Sequence, residues 1–202
     1  CTIANIILIL ENDPALAGHL VHDDFAGTDA VVGGLPWDKT AKQWTDRDDA
    51  NLRVWLERNY DLTGKEKIND AVTAVLTKHS YHPIRQYLNG LEWDGVQRLD
   101  RLIIDYLGAE DCELNRAITR KHFTAAVARI FKPGCKYDQC LIMTGPEGVG
   151  KSTLLNVLGG DWFNDSLVTT EGKSGMEQLR MGWIIELAEL SSIKRSDVEQ
   201  VK

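Results

Sequence analysis

An α/β fold follows from three observations on this chain of 202 residues. The octet Gly145-Pro146-Glu147-Gly148-Val149-Gly150-Lys151-Ser152 fits the phosphate-cradling pattern G-x-x-x-x-G-K-[ST] without a substitution. A short apolar run stands before the octet, and leucines at helical spacing stand after it. Upstream, apolar stripes with helical period recur as far as Phe131. Together they predict a mostly helical N-terminal region, residues 1–80, and a helical lead-in, 81–134. The first half of a P-loop parallel-sheet core follows over 135–202, truncated at its C-terminal side.

The elements follow in chain order. Ile3 to Leu10 is an apolar opening interrupted by Asn5, without a basic leader or a small-residue cleavage site, so it is expected to be neither signal peptide nor membrane span. Asp23 to Asp49, rich in Gly and Asp, reads as loop. Leu52, Leu56 and Tyr60 predict a helix capped by Asp48 or Asp49, and Ile68, Val72, Val75 and Leu76 form the stripe of a second. Trp37, Trp44 and Trp55 are expected to be packing residues, because no basic cluster accompanies them as it would a nucleobase platform.

In the lead-in, His82-Pro83 opens a helix with proline in its first turn, and Trp93-Asp94-Gly95 marks a turn. Leu99, Leu102, Ile103 and Tyr106 share a helical face ended by Gly108. A long Ala-containing helix from about Glu113 to Phe131 stops at Pro133-Gly134.

In the core, Tyr137 to Thr144 reads as a buried parallel strand around Cys140-Leu141-Ile142-Met143. After the octet, Leu154, Leu155 and Leu158 fit a helix stopped by Gly159-Gly160. Strand, glycine loop, helix is the order that polyphosphate binding requires: the glycines leave main-chain amides accessible, and the helix start adds its uncapped donors and positive dipole end. Nucleotide binding is therefore expected over Gly145, Pro146, Glu147, Gly148, Val149, Gly150, Lys151, Ser152 and Thr153. Lys151 would span the β- and γ-phosphates of ATP and Ser152 would take one coordination place on Mg²⁺.

Hydrolysis also needs an acid. Gly182 to Leu190 offers an apolar run carrying Glu186 and followed by Glu189. Glu189 falls where such a strand would end, and ligands of open α/β sheets sit at carboxyl ends of strands. Glu189 is therefore the first candidate for holding Mg²⁺ or polarising the attacking water, and Glu186 the second. Two alternatives stand beside this: Glu186 as a partly buried acid facing a basic neighbour, and an edge strand whose two glutamates face water.

Composition sets the bounds. A hydrophobic fraction of 43% and a charged fraction of 26% are ordinary for a globular protein. The net charge of −7 argues against nucleic-acid binding by bulk electrostatics. The densest basic run, Arg116, Arg120, Lys121, Arg129, Lys132 and Lys136, reads as a solvated helix face before it reads as a DNA surface. Cys1, Cys112, Cys135 and Cys140 lack zinc-ligand spacing and fit reduced thiols in a cytoplasmic protein. His79 and His82 fit a turn and helix start better than a metal pair.

Several blocks in order resemble the virulence-associated protein E family. They are His82-Pro83-x-Arg85-x-Tyr87-Leu88, Leu91-Glu92-Trp93-Asp94-Gly95-x-x-Arg98-Leu99-Asp100, and Ala128-Arg129 with Pro133-Gly134-Cys135-Lys136-x-Asp138 leading into the octet. Trp162 to Ser166 and Glu186 to Leu190 resemble later landmarks, so the resemblance runs from about Tyr81 to the end. It implies a phage- or island-encoded P-loop ATPase similar to superfamily 3 helicases and the helicase halves of viral primase-helicases. It further implies DNA as partner, a homo-oligomer that can be a ring, and no membrane. Gly145, Gly148, Gly150, Lys151 and Ser152 match the phosphate loop of such proteins, and Glu189 with Glu186 the second acidic motif. The chain starts without methionine and stops at Lys202, so sensor and arginine residues are expected beyond it and hydrolysis by this piece is expected to be weak. Two other functions remain open: a P-loop kinase acting on a small acceptor, and a nucleotide-gated interaction module without motor activity.

Overall fold

The computed structural model describes residues 2–166, 179–180 and 182–187. They form a mixed α/β structure, about half helical, with two small sheets. The chain divides into two compact units, Cys1–Gly90 and Leu91–Lys202.

The first unit opens with α1 (Ile3–Asn12), started by the Thr2 side chain, which accepts the Asn5 amide at 3.3 Å. Ile6 and Leu10, one turn apart, face inward. The segment expected to be loop, Asp23 to Asp49, holds the turn and second strand of a hairpin, which corrects that expectation: β1 (Leu20–Asp23) pairs antiparallel with β2 (Thr28–Val31). A third strand, β3 (Ser80–Tyr81), joins β1 in parallel, giving the order β2-β1-β3. The hairpin turn is set by Asp23, whose carboxylate accepts the amides of Phe25 and Ala26 at 2.9 and 3.0 Å, and by Gly27 at φ +66°. Strands this short carry too little alternation to register against an Asp- and Gly-rich background.

The two amphipathic helices are present as α2 (Asp46–Tyr60) and α3 (Lys65–Lys78). The cap of α2 is Thr45, neither Asp48 nor Asp49, and Asp48 is instead the third helical residue of a capping box. Leu52 and Leu56 of α2 and Ile68, Ala71, Val72, Val75 and Leu76 of α3 close over Ile6, Leu10, Leu16 and Leu20. Trp37, Trp44 and Trp55 pack against this core as expected. Trp37 and Trp44 meet edge to face, 6.3 Å between centroids, and donate to Asp48 and Asp49 at 3.0 and 2.8 Å. Tyr60 points outward and its hydroxyl binds Asp13 beyond the end of α1. Helix α4 (Pro83–Asn89) closes the unit, with His82 as cap and Pro83 in its first turn.

In the second unit a 3-10 turn, Leu99–Arg101, runs into α5 (Leu102–Leu107), ended by Gly108 in the left-handed region. Helix α6 (Glu113–Phe131) stops before Pro133-Gly134, where the sequence predicts. Next come α7 (Lys151–Gly159), β4 (Phe163–Asn164) and β5 (Ile184–Ile185), the two strands being paired in parallel. Phe123 of α6, Leu155 of α7 and Ile184 of β5 form the core, joined by Leu141, Met143, Leu158, Phe163 and Trp183.

The segment Tyr137 to Thr144 joins no sheet among the described residues, contrary to the predicted strand. Leu141 and Met143 pack inward while Ile142 is 61% exposed, so the alternation is that of extended chain without a ladder partner. On α6, Arg116 pairs with Asp111 and Arg120 with Asp100, so half of the helix's four basic residues meet carboxylates. Cys112, Cys135 and Cys140 are free thiols. Among the described residues no helix is long and apolar enough to cross a membrane, and no group of three or more His, Cys, Asp or Glu is placed to hold a metal ion.

Candidate functional site

Helix α7 begins at Lys151, directly after the octet. Gly148 and Gly150 stand at φ +78° and +96°, conformations that only glycine adopts without strain, and they turn the chain into the helix. No side chain caps α7, so its first-turn amides keep no side-chain acceptor. Gly145 to Gly148 are exposed, Val149, Gly150 and Lys151 half-buried, and Ser152 and Thr153 exposed. The loop therefore opens to solvent.

Lys151 curls over that loop. Its ammonium donates to the carbonyls of Gly145 and Pro146 at 3.1 and 2.8 Å. Behind the loop, α5 gives support: a β-carbon at Gly150 would lie 3.9 Å from the Leu107 side chain.

The hydroxyl of Ser152 donates to Glu186 Oε1 at 2.6 Å. Glu186 directly follows β5, and its amide donates to the Asn164 carbonyl of β4 at 2.8 Å. Two further bonds fix the strand. The Trp183 amide donates to the Trp162 carbonyl at 2.8 Å, and the Trp183 indole donates to the Ala126 carbonyl of α6 at 3.0 Å. Glu186 Oε2 is buried with no hydrogen-bond partner among the described residues. A buried carboxylate oxygen left unpaired is costly, and a cation is the partner that satisfies it best. A serine hydroxyl beside a carboxylate is a hard-oxygen donor set, which suits Mg²⁺.

Of the residues nominated from sequence, Gly145 to Thr153 and Glu186 are described, and Ser152 and Glu186 are brought together. Glu189 lies outside the described residues, as do Lys194 and Arg195. Sequence reasoning did not identify Asn164, Trp183 or Leu107 as supports. The block Trp162 to Ser166 stood out as a motif, and its part as the strand beside β5 is a tertiary fact. An apolar cavity of about 300 Å³ lined by His122, Ala126, Tyr137, Leu141, Leu155 and Ile184 includes no residue of the octet, so it is not the phosphate seat.

A family model, the virulence-associated protein E-like domain, matches residues 88–202. That range contains the whole second unit. No curated protein matches the chain.

Proposed function

The chain belongs to the virulence-associated protein E-like family, and from that premise we propose that its second unit is a P-loop ATPase core that binds ATP with Mg²⁺ and works on DNA as a helicase or replication ATPase. The observation that carries this is the 2.6 Å bond between Ser152, at the first turn of a helix with no side-chain cap, and Glu186, whose second oxygen is buried with no partner among the described residues.

The chemistry runs from these residues. Loop amides and the first turn of α7 receive the phosphates. Lys151 exchanges two neutral carbonyls for anionic phosphate oxygens, which adds the attraction of opposite charges to its hydrogen bonds. Ser152 and Glu186 hold Mg²⁺, directly or through its waters. Glu189 is assigned to polarising the attacking water.

The experiment is calorimetric titration of ATP with and without Mg²⁺, followed by phosphate release with and without single-stranded or forked DNA. Mg²⁺-dependent ATP binding is expected, with weak phosphate release that DNA stimulates. Phosphoryl transfer to a metabolite would reassign the unit to a kinase. Nucleotide-dependent oligomer size without turnover would reassign it to a gated interaction module. Absence of ATP binding would overturn the proposal.

A further inference from the structure

We infer that Gly159 and Gly182 are positioning residues that set the Ser152–Glu186 distance, Gly159 by letting α7 lie against the β4–β5 pair and Gly182 by letting the chain entering β5 lie against β4, each more closely than any side chain permits; this rests on the nucleotide-binding function proposed above. Ser152 lies in the first turn of α7 and Gly159 ends the helix. A β-carbon at Gly159 would lie 2.9 Å from Phe163 Cβ and 3.1 Å from Ile184 Cβ. Phe163 and Ile184 are partners in the β4–β5 ladder, so the end of α7 rests on both strands at one rung. At Gly182 a β-carbon would lie 2.9 Å from Asn164 Cβ and 2.9 Å from Ile185 Cγ1, and Asn164 and Ile185 are the next rung. Gly159 thus lets the end of α7 lie against one rung, and Gly182 lets the chain entering β5 lie against the next, each at a separation that excludes a methyl group.

Backbone geometry gives no other reason for glycine at these places. Gly159 has φ −81°, open to any residue, and Gly182 has no positive φ. Glycine is a poor helix former, so its presence in the last turn of α7 is accounted for by the close approach and not by the helix itself. Gly160 next to it is different: it stands at φ +51° with open space where its β-carbon would be, and it serves as the helix stop. The atoms nearest a β-carbon at either place lie in β4 and β5 and not in the octet, so the two glycines bear on the metal seat before the phosphate cradle.

An added methyl at 2.9 Å forces the helix and strand apart by several tenths of an ångström. Metal ligation tolerates about 0.2 Å. The two halves of the site therefore respond differently to Gly159→Ala.

The test is ATP affinity of the whole chain, measured in EDTA and across a Mg²⁺ titration. For Gly159→Ala the metal-free affinity stays within twofold of the unaltered chain, while the Mg²⁺ concentration giving half of the metal-dependent gain rises roughly tenfold or more, the scale expected for groups that orient metal ligands. Asn156→Ala, on the exposed side of α7, leaves both unchanged. Parallel losses with and without metal, or no change in either, would overturn the inference. Gly182→Ala repeats the measurement if Gly159→Ala does not fold, and failure of both to fold also overturns it, since the glycines would then hold the fold and not the distance. An unaltered chain that binds no ATP in either medium sinks the nucleotide-binding proposal itself, a result distinct from all of these.

Discussion

Ser152 Oγ donates to Glu186 Oε1 at 2.6 Å across 34 residues of sequence. The bond ties the start of α7 to the end of β5, the two places from which a phosphate cradle and a metal-side acid would act. Glu186 Oε2, buried and without a hydrogen-bond partner among the described residues, makes this corner one that a cation would satisfy. Opposite effects on stability and on ligand binding follow from that.

Glu186→Gln is expected to lower Mg²⁺-dependent ATP affinity roughly ten- to hundredfold, the range for losing one charged hydrogen-bond partner. The same change is expected to leave the ligand-free chain as stable as before or more so, because it neutralises a half-buried carboxylate whose Oε2 has no partner among the described residues. Calorimetry and thermal melting without ligand check both halves. A melting temperature lowered by several degrees would contradict the account of an unpaired carboxylate.

Lys151→Ala removes two bonds to carbonyls of an exposed loop. Each such bond contributes about 0.5–1.5 kcal/mol, so the fold persists with a shift of a few degrees at most. ATP binding and turnover are expected to disappear. Near-normal turnover would show that the lysine's place is on the loop and not on a nucleotide.

The local parts of the site were legible in sequence because their chemistry is local. The octet, the start of α7 at Lys151 and the glycine stop after it each depend on residues within one or two turns. The pairing of Ser152 with Glu186 is tertiary, and no spacing rule contains it. The preference for Glu189 over Glu186 falls on a residue outside the described ones; β5 ends at Ile185 and Glu186 directly follows it. In the first unit the stripes of α2 and α3 were readable over fourteen or fifteen residues, while four-residue β1 and β2 were not. Thr45 went unrecognised as a cap because Asp48 and Asp49 are equally good capping types.

Gly150→Ala separates backbone strain from contact. At φ +96° an L-residue pays about 1–2 kcal/mol, yet the nearest atom to the new methyl would be Leu107 Cδ2 at 3.9 Å, an ordinary contact. The loop is therefore expected to relax instead of the core. ATP affinity falls by about tenfold while the melting transition moves by only a few degrees, measured by titration and by circular dichroism. A large melting shift with intact binding would mean that the turn holds the unit together.

Asp48 governs the acid stability of the first unit. It is 3% exposed and accepts from Trp37, from Lys39 at 2.5 Å and from both the amide and the hydroxyl of Thr45 at 2.9 and 2.7 Å. Burial alone would push its pKa up. The bonds from Lys39, Thr45 and Trp37 together outweigh burial and hold the pKa at about 2, against an ordinary 3.8. Because the folded value is the lower one, the stabilisation is fully present above pH 4 and is lost as pH falls toward 2; the shift corresponds to about 2 kcal/mol. Asp48→Ala leaves the Lys39 ammonium, 11% exposed, without its carboxylate, and is expected to cost roughly 3–5 kcal/mol at pH 7. Urea unfolding of both chains at pH 7, 4 and 2 checks this: the difference between them narrows as Asp48 takes up its proton. A difference that stays constant over that range would mean the carboxylate's charge contributes nothing to the start of α2.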